Sequence, residues 1–376
     1  MNEILYVTNR LNPKNKNGAY IGAKRNYEHL KEIFKEKFDE YLIGEKNKFE
    51  KFILTFVCGR LDEISKVDEE KILKKLETKK YKYIFLDGSN YGYCVEKIKR
   101  KYPYIKVITF CHDISYQLYE SLYHQSLTFF SKVKFKKYIK NALKNEKLTF
   151  KNSNIIITLN SRDSFMLEKV YNKKSNKEIG ITFPITNILN KEIKMYKENL
   201  KILFVGIGTF LPNIYGIEFF IKKVLPYINA ELEIVGKGTE TNKEKWESLN
   251  SKVKVRGTVG SLDEYYNDAD AVIAPIFIGG GMKVKTAEAL SYGKTIFGTT
   301  EAFEGYEVNY KKIGGMCNTA EEFIEAINKY IKWWKNNNKP TFNKDSYQIF
   351  KEKYSYEASL KKFKEIFKEL EEMERE

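Results

Sequence analysis

The 376-residue chain has few of the residues that build metal centres and disulfide frameworks. It has three histidines and four cysteines, and the cysteines are scattered without a C-x-x-C pair. This pattern argues against a zinc site or a disulfide framework and predicts reduced thiols in a cytoplasmic protein. No apolar run approaches the ~20 residues that a membrane-spanning helix needs. The first apolar run, Ile4–Val7, resembles a strand and lacks the features of a signal peptide.

Positive charge is abundant, and most of it lies in the first half of the chain. The net charge is +16, and residues 1–190 hold 37 Lys and Arg against 22 Asp and Glu. In the densest stretch, Lys132–Lys151, eight lysines alternate with apolar residues at helical spacing, and Glu146 is the one acid. Such a segment fits a basic amphipathic helix on an anionic membrane, or equally a helix whose lysines face water. Because no nucleic-acid-binding signature accompanies it, we predict no nucleic-acid partner.

Short β-branched and aromatic runs alternate with longer helical patterns throughout the chain. The predicted strands are Ile4–Thr8, Glu40–Ile43, Phe52–Val57, Tyr83–Leu86, Lys106–Phe110, Asn154–Leu159, Lys201–Val205, Glu231–Val235, Val253–Val255, Ala271–Ala274 and Thr295–Phe297. This alternation predicts an α/β protein with parallel sheets that are covered by helices.

The pattern of strands restarts at Lys201 after a polar stretch, which predicts two domains. We assign residues 1–185 to a first doubly wound domain, 186–200 to a linker and 201–345 to a second doubly wound domain. Residues 346–376 are predicted to form a charged helix that packs back toward the first domain. Ligands of open α/β sheets lie outside the carboxyl ends of the strands, so domains that face each other by these edges would share one cleft.

The most informative segment is a glycine-rich turn, Gly279–Lys283, between a strand-like run and a helix-like run. Glycines let the backbone approach a phosphate, and the free N–H groups of a helix N-terminus favour negative charge. Lys283 and Lys285 add positive charge. Glu288 lies one turn beyond Lys285 on the same helix face, where it can accept hydrogen bonds from ribose hydroxyls. The segment predicts a nucleotide site, although a glycine turn beside a surface ion pair has the same pattern.

Motifs around this turn occur in a recognisable order from Phe204 to Gly305. They are Phe204–Gly206, Pro212-Asn213, Leu232–Gly238, Val255–Val259, the series from Ala269 to Gly293, and Thr299–Gly305. In this order they resemble the C-terminal domain of family 4 glycosyltransferases of the GT-B fold. In the first half, Gly18–Gly22 resembles the flexible acceptor-side loop of that family, and His112 lies at a predicted strand end as in that family.

The resemblance implies two Rossmann-like domains facing across a cleft, and transfer of a sugar from a nucleotide sugar with retention of configuration. It implies no metal and no other cofactor. The implied catalytic residues are His112, Lys285 and Glu288. The implied substrate-binding residues are Gly18, Gly206, Gly208, Gly279, Gly280, Gly281, Met282, Lys283, Lys285, Glu288 and Glu304.

The roles of these residues follow from the same resemblance. Glu288 would hold the ribose, the glycine turn and Lys285 would hold the diphosphate, and His112 would contact the transferred sugar. One departure concerns a Glu-x7-Glu pair of the family, because its first residue falls on Gly280. Recognition of the donor sugar is therefore open. The role of Asp113, directly after His112, is open as well.

These features predict a glycosyltransferase that uses a nucleotide sugar, with UDP as the favoured nucleotide. The acceptor is predicted to be lipid-linked or a polysaccharide in the synthesis of capsule, lipopolysaccharide or a similar bacterial surface glycan. Lys132–Lys151 would attach the protein to the inner face of the plasma membrane. An alternative of the same architecture is a nucleotide-sugar epimerase. Such an enzyme needs acid–base residues around the sugar, and this chain has only three histidines.

Overall fold

The computed structural model describes residues 3–12, 18–61, 64–126, 128–185, 198–279 and 281–372, except for the side chain of Gln125. The chain divides into two compact units, Met1–Gly180 with Leu360–Glu376, and Ile181–Ser359. Most of the linker predicted at 186–200 lies outside the described residues, as does Gly280.

The first unit contains a six-stranded parallel sheet. Its strands are β1 (Ile4–Thr8), β2 (Phe38–Leu42), β3 (Tyr83–Leu86), β4 (Lys106–Cys111), β5 (Ile155–Thr158) and β6 (Lys177–Glu178), in the order β2-β1-β3-β4-β5-β6. Its helices are α1 (Gly18–Phe34), α2 (Lys48–Phe52), α3 (Lys66–Thr78), α4 (Gly92–Lys101), α5 (Ser115–Gln125), α6 (Phe129–Asn152) and α7 (Ser161–Tyr171), with a 3-10 turn at Lys35–Lys37 and a π-helical turn at Ile53–Val57. The carboxyl ends of β1, β3 and β4 are therefore neighbours along one edge.

The second unit contains another six-stranded parallel sheet. Its strands are β7 (Leu200–Val205), β8 (Ala230–Val235), β9 (Val253–Gly257), β10 (Ala271–Ala274), β11 (Thr295–Gly298) and β12 (Gly314–Met316), in the order β12-β11-β10-β7-β8-β9. The helices are α8 (Leu211–Lys223), α9 (Lys243–Leu249), α10 (Asp263–Asp268), α11 (Val284–Ser291), α12 (Tyr310–Ile313), α13 (Ala320–Asn336) and α14 (Lys344–Ile349), with helical turns at Leu225–Tyr227, Thr239–Asn242 and Phe350–Tyr354. A last helix, α15 (Tyr356–Glu372), begins in this unit and ends in the first.

Burial explains why these runs form strands. Every residue of β1, β3, β5, β10 and β11 is buried, as expected for parallel strands covered on both faces. Helix starts are set by side-chain caps, for example the Thr319–Glu322 capping box that opens α13. The predicted doubly wound α/β class is confirmed, and β1, β3 and β10 have the predicted bounds.

Two local predictions are wrong. The apolar run Phe52–Val57, predicted as a strand, is helical, because the Asn47–Glu50 capping box starts α2 and the helix continues into the π-helical turn. A short apolar run has the same composition in a strand and in a helix, so periodicity alone misassigned it. Gly18–Gly22, predicted as a flexible loop, forms the first turn of α1. None of the described helices has the length and apolarity of a membrane span.

A close helix approach positions the glycine-rich turn of the second unit. Gly216 of α8 faces Pro275, the residue after β10, and a Cβ at this position would overlap the Pro275 carbonyl. Only glycine therefore lets α8 lie directly against the turn after β10. This contact brings residues of α8 next to the start of α11, where the predicted nucleotide site lies.

Candidate active site

The glycine-rich turn joins the carboxyl end of β10 to the N-terminus of α11. Gly281 has a φ of +64°, a left-handed conformation that favours glycine, and Met282 behind it is buried. Lys283 occupies the cap position, and its side chain makes no capping hydrogen bond. The Thr286 N–H donates to the Lys283 carbonyl and the Ala287 N–H donates to the Tyr306 hydroxyl, so an anion would bind to the N–H groups that precede them at the start of α11.

Lys285 points from α11 toward the end of β7. Its Nζ donates to Oδ1 of Asn213 at 2.9 Å and lies 4.2 Å from the centre of the Phe204 ring. Asn213 is itself fixed, because its Nδ2 donates to the Ile207 carbonyl. Burial is the main cause that lowers the pKa of Lys285 to about 7, and the positive charge of Lys283 acts in the same direction. An anion bound here would restore the ordinary charge of the ammonium.

Glu288 lies one helical turn further along α11. Its Oε2 accepts a hydrogen bond from the Tyr266 hydroxyl at 3.0 Å, and Tyr266 stacks on Tyr292 at 4.5 Å between ring centres. Burial raises the pKa of Glu288 to about 7, although the Tyr266 hydrogen bond and the Lys285 charge oppose the shift. The carboxylate is therefore short of hydrogen-bond donors, which ribose hydroxyls would provide.

Lys283 points to the opposite side of the turn, toward the loop that follows β11. Its Nζ lies 2.6 Å from Oε1 of Glu301 and donates to the Gly281 carbonyl at 2.7 Å. The sequence predicted Lys283 as a substrate-binding residue that adds positive charge to the nucleotide site. In the structure its ammonium is engaged by a carboxylate that the sequence analysis had not singled out.

Gly206 and Gly208 lie in the loop that follows β7. A Cβ on Gly206 would come within 2.8 Å of the Asn213 amide nitrogen and 3.1 Å of Lys285 Nζ. Lys285 can therefore reach the end of β7 only because residue 206 has no side chain. Gly208 packs against the backbone of Gly238 and Thr239, where a Cβ would overlap, so protein contacts already explain this glycine.

The loop after β11 contains the half-buried Glu304 and wraps around the start of α11. Thr286 Oγ1 donates to the Ala302 carbonyl at 2.7 Å, and the Tyr306 hydroxyl donates to the Lys283 carbonyl at 2.6 Å. These bonds hold Glu304 beside the candidate nucleotide site.

In the first unit, His112 follows β4 and meets a carboxylate that follows β3. His112 Nε2 lies 2.9 Å from Oδ1 of Asp87, which also accepts from Asn26 Nδ2 at 2.7 Å. The other oxygen, Oδ2, accepts from Thr8 Oγ1 at 3.1 Å. Burial alone would raise the pKa of Asp87, but His112 and the other partners outweigh it and lower the pKa to about 2. The two side chains form a buried His–Asp pair.

Helix α1 lies directly on the His112 ring. A Cβ on Gly22 would be 2.9 Å from Cε1 and 3.0 Å from Nδ1 of His112, so glycine gives the ring its room. Gly18, predicted on the acceptor side, is exposed at the start of the same helix.

Four partners of the predicted residues were missed from the sequence: Asn213, Tyr266, Glu301 and Asp87. Asp87 was accessible to the strand-end rule, because it directly follows the predicted strand Tyr83–Leu86 just as His112 follows its own strand. Asn213 and Glu301 both stood in recognised motifs without an assigned role. Nothing in the local pattern pointed to Tyr266, which lies on another helix.

Asp268 and Asp270 form a D-x-D sequence, and both side chains accept hydrogen bonds within the protein. Asp270 accepts from the Lys201 backbone N–H at 2.8 Å, and Asp268 accepts from Lys201 Nζ at 2.6 Å. Asp113 accepts from the Ser115 hydroxyl at 3.4 Å. These contacts give all three carboxylates local structural roles.

The predicted basic helix is α6, and its two faces differ sharply. Glu146, the one acid in Lys132–Lys151, is buried and accepts hydrogen bonds from the N–H groups of Ser115 and Tyr116 at the start of α5. It therefore does not neutralise the lysines outside. On the outer face Phe129 and Phe130 are 76% and 85% exposed.

A second exposed apolar strip lies beside α6, on α2 and the π-helical turn. Phe49, Phe52 and Val57 are exposed there, and Phe56 lies 6.1 Å from Tyr138 of α6 between ring centres. Asn141 of α6 donates to the Thr55 carbonyl, which joins the two helical segments. We call the exposed residues Phe49, Phe52, Val57, Phe129, Phe130 and Val133 the aromatic surface.

Comparison with known proteins gives a family match within the second unit. Residues 199–332 match the family model described as Glycosyl transferases group 1. This part of the second unit is therefore similar to the group 1 glycosyltransferases. This match covers the glycine turn, Lys285, Glu288 and Glu304. A search of curated proteins found no significant match to the sequence.

Solved structures support the fold of the whole chain. Sucrose-phosphate synthase from Thermosynechococcus elongatus superposes with a TM-score of 0.68 at 13% identity, covering 98% of this chain and 99% of that one. Anabaena HepE in complex with UDP-glucose gives 0.63 at 12% identity, covering 98% and 99%. WaaG, a glycosyltransferase involved in lipopolysaccharide biosynthesis, gives 0.59 at 13% identity, covering 93% and 98%. The predicted GT-B fold class is confirmed.

Proposed function

We propose that the protein is a retaining glycosyltransferase that moves a sugar from a nucleotide sugar, UDP-sugar by first choice, to a surface-glycan acceptor. One observation carries the proposal: Lys285 and Glu288 lie on one face of α11, whose N-terminus directly follows the glycine-rich turn. Both side chains are held at a pKa of about 7 by burial, which an anionic diphosphate and a ribose would reverse. UDP is favoured because the HepE structure contains UDP-glucose.

The chemistry requires stabilisation of the leaving group more than a strong base. The bond between the sugar C1 and the β-phosphate oxygen breaks, and its electron pair stays on the diphosphate. The acceptor hydroxyl oxygen bonds to C1 on the same face, and its proton passes to the leaving phosphate oxygen. Lys285 and the free N–H groups of α11 would stabilise the charge that develops on the diphosphate.

The His112–Asp87 couple would serve the sugar side of this reaction. A histidine that is held by a buried carboxylate can carry a hydrogen bond to a sugar hydroxyl without changing its orientation. The reaction as proposed uses no metal, and we expect full activity in the presence of a chelator.

The acceptor is proposed to be lipid-linked and presented at an anionic membrane, on the inner face of the plasma membrane. The aromatic surface places exposed phenylalanines next to the lysines of α6, and Glu146 is turned inward. Aromatic side chains in the lipid interface and lysines near anionic headgroups both favour binding, by about 1 kcal/mol per lysine. Capsule or lipopolysaccharide synthesis is the proposed context.

Binding of nucleotides tests the donor site. Calorimetry with UDP, GDP, dTDP and CMP should show selective binding of one of them to the wild type and a loss of binding in Glu288→Ala. The matched control is Glu231→Gln, which removes a surface carboxylate paired with Lys254 at the opposite end of the same sheet. No binding of any nucleotide to the wild type would refute the proposed donor site.

Vesicle sedimentation tests the membrane contact. The wild type should bind vesicles of phosphatidylcholine with phosphatidylglycerol and release them at high salt, whereas Phe129→Ser/Phe130→Ser should bind more weakly. Phe165→Ser is the control, because Phe165 is an exposed phenylalanine of the same unit on α7. Equal binding by all three proteins would remove the aromatic surface from the proposal.

A further inference from the structure

An ion pair with little solvent exposure lies across the glycine-rich turn on its β11 side. The side chains of Lys283 and Glu301 are 13% and 22% exposed, and their charged atoms are 2.6 Å apart. A Cβ on Gly279 would lie 2.9 Å from Lys283 Cε and 3.0 Å from Glu301 Oε1. The pair therefore rests on the backbone of the turn itself.

Glu301 is held there by the loop that carries it. The Thr299 N–H donates to the Ala274 carbonyl at 3.3 Å, which ties the loop after β11 to the end of β10. The next residue, Ala302, accepts from Thr286 of α11. Because the loop is anchored at Thr299 and at Ala302, on either side of Glu301, the carboxylate keeps its place beside the turn in the absence of a ligand.

The charged groups have an order along the edge of the second sheet. Strands β7, β10 and β11 are neighbours in that order. Lys285 reaches the β7 end, and Lys283 with Glu301 occupies the β11 end. A nucleotide sugar whose ribose lies at Glu288 and whose diphosphate lies at Lys285 extends its sugar across the turn toward β11.

A carboxylate at that position suits a sugar and does not suit a phosphate. Two like charges at close range repel each other, whereas adjacent sugar hydroxyls donate charge-assisted hydrogen bonds to a carboxylate. The ammonium of Lys283 offsets the negative charge of Glu301, so the diphosphate nearby is not repelled.

We propose that Glu301, held by Lys283, is the residue that binds hydroxyl groups of the donor sugar and so contributes to its recognition. This inference rests on the proposed glycosyltransferase function. It assigns the sugar end of the donor site to a residue from the loop after β11.

Separate measurement of the nucleotide and of its sugar conjugate tests the assignment. The probes are UDP, GDP and dTDP, each alone and as its glucose conjugate, titrated into the full chain by calorimetry. Glu301→Gln should lower the affinity for the conjugate about tenfold or more, since hydrogen bonds to a charged group are lost. Affinity for the nucleoside diphosphate alone should stay equal or rise, because Lys283 is released toward the phosphates.

A second variant displaces the Lys283–Glu301 ion pair without removing either charge. Gly279→Ala puts a methyl group where Lys283 Cε and Glu301 Oε1 lie, and it should weaken binding of the conjugate while binding of the diphosphate persists. Glu231→Gln should change neither affinity. Parallel losses for conjugate and diphosphate, or no loss for either, would overturn the role of Glu301. A wild type that binds none of the six probes would instead refute the proposed function.

Discussion

Two carboxylates, the buried Asp87 in the first unit and the half-buried Glu288 in the second, have pKa values that are shifted in opposite directions. The pKa of Asp87 is lowered to about 2, whereas that of Glu288 is raised to about 7. Burial raises both. Asp87 receives the His112 charge and hydrogen bonds from Asn26 and Thr8, while Glu288 receives one hydroxyl and a more distant ammonium. The number of donors decides which sign prevails.

This difference in pKa indicates that the two sites have different functions. The Asp87 site is complete without a ligand and holds His112 in one orientation. The Glu288 site has a carboxylate with few hydrogen-bond donors and a lysine, Lys285, that needs an anion. A bound nucleotide would supply both the donors and the anion. Perturbed titratable groups with unmet partners are typical of binding sites.

The largest effect is expected when the cation Lys285 is removed from the candidate nucleotide site of the second unit. Lys285→Met should lower kcat about 10²–10³-fold, because the charge on the leaving diphosphate loses its main side-chain partner. The measurement is steady-state transfer with a saturating donor, and Lys254→Met on strand β9 is the control. A loss below about tenfold would place stabilisation of the leaving group elsewhere.

The next largest effect is expected when the His112–Asp87 pair of the first unit is disrupted. Asp87→Asn keeps the shape but removes the charge that orients His112, and kcat should fall about 10–100-fold as the ring loses its position. Affinity for the nucleoside diphosphate should be unchanged, because Asp87 belongs to the other unit. Asp39→Asn, in a lysine-paired carboxylate on β2, should alter neither value. A joint loss of binding and transfer would contradict separate roles.

The pH dependence of binding sharpens the comparison. Free Lys285 has a pKa of about 7, which a bound diphosphate raises, so binding takes up a proton above pH 7 and weakens as pH rises. Free Glu288 also has a pKa of about 7, which ribose hydroxyls lower, so binding releases a proton below pH 7 and weakens as pH falls.

Affinity should therefore peak near pH 7 and fall by up to about tenfold per pH unit on each side. Calorimetry in buffers of different ionisation enthalpy measures the proton count directly. In Glu288→Gln the acidic limb should shrink to the part that the nucleotide's own phosphate contributes. A constant proton count across the range would contradict the assigned shifts.

The smallest effect concerns the space around His112. Gly22→Ala puts a methyl group about 3 Å from the imidazole ring and should shift it by a few tenths of an ångström. Transfer should fall about two- to fivefold, with a stability loss of about 1 kcal/mol. Gly44→Ala is the control, since nothing lies within 4 Å of the added group. Equal rates for both variants would mean that the ring tolerates displacement.

Three strands and one helical run show which parts of the fold could be predicted from the sequence. The strands β1, β3 and β10 are uninterrupted apolar runs with clear ends, and their bounds were predicted residue by residue. The run Phe52–Val57 was misassigned because the helix starts at the Asn47–Glu50 capping box before the run and is joined to α6 by contacts such as Asn141 to the Thr55 carbonyl. The composition of the run itself contains neither signal.

The candidate sites divide in the same way. Lys285 and Glu288 could be predicted because strand, turn and helix are consecutive, so their spacing fixes their common face. Their partners Asn213 and Tyr266 lie 72 and 22 residues away in sequence. Spacing along the chain cannot bring such residues together, and only the packed structure identifies them.

The sequence by itself determined the α/β alternation, the parallel sheets and the helix on which the nucleotide-binding residues stand. Each depends on local periodicity and on the special geometry of glycine. Only the tertiary structure decided which carboxylate is charged, that Lys283 is engaged by Glu301, and that Asp87 holds His112. These outcomes depend on burial and on hydrogen-bond partners from distant segments, and both arise only when the chain is folded.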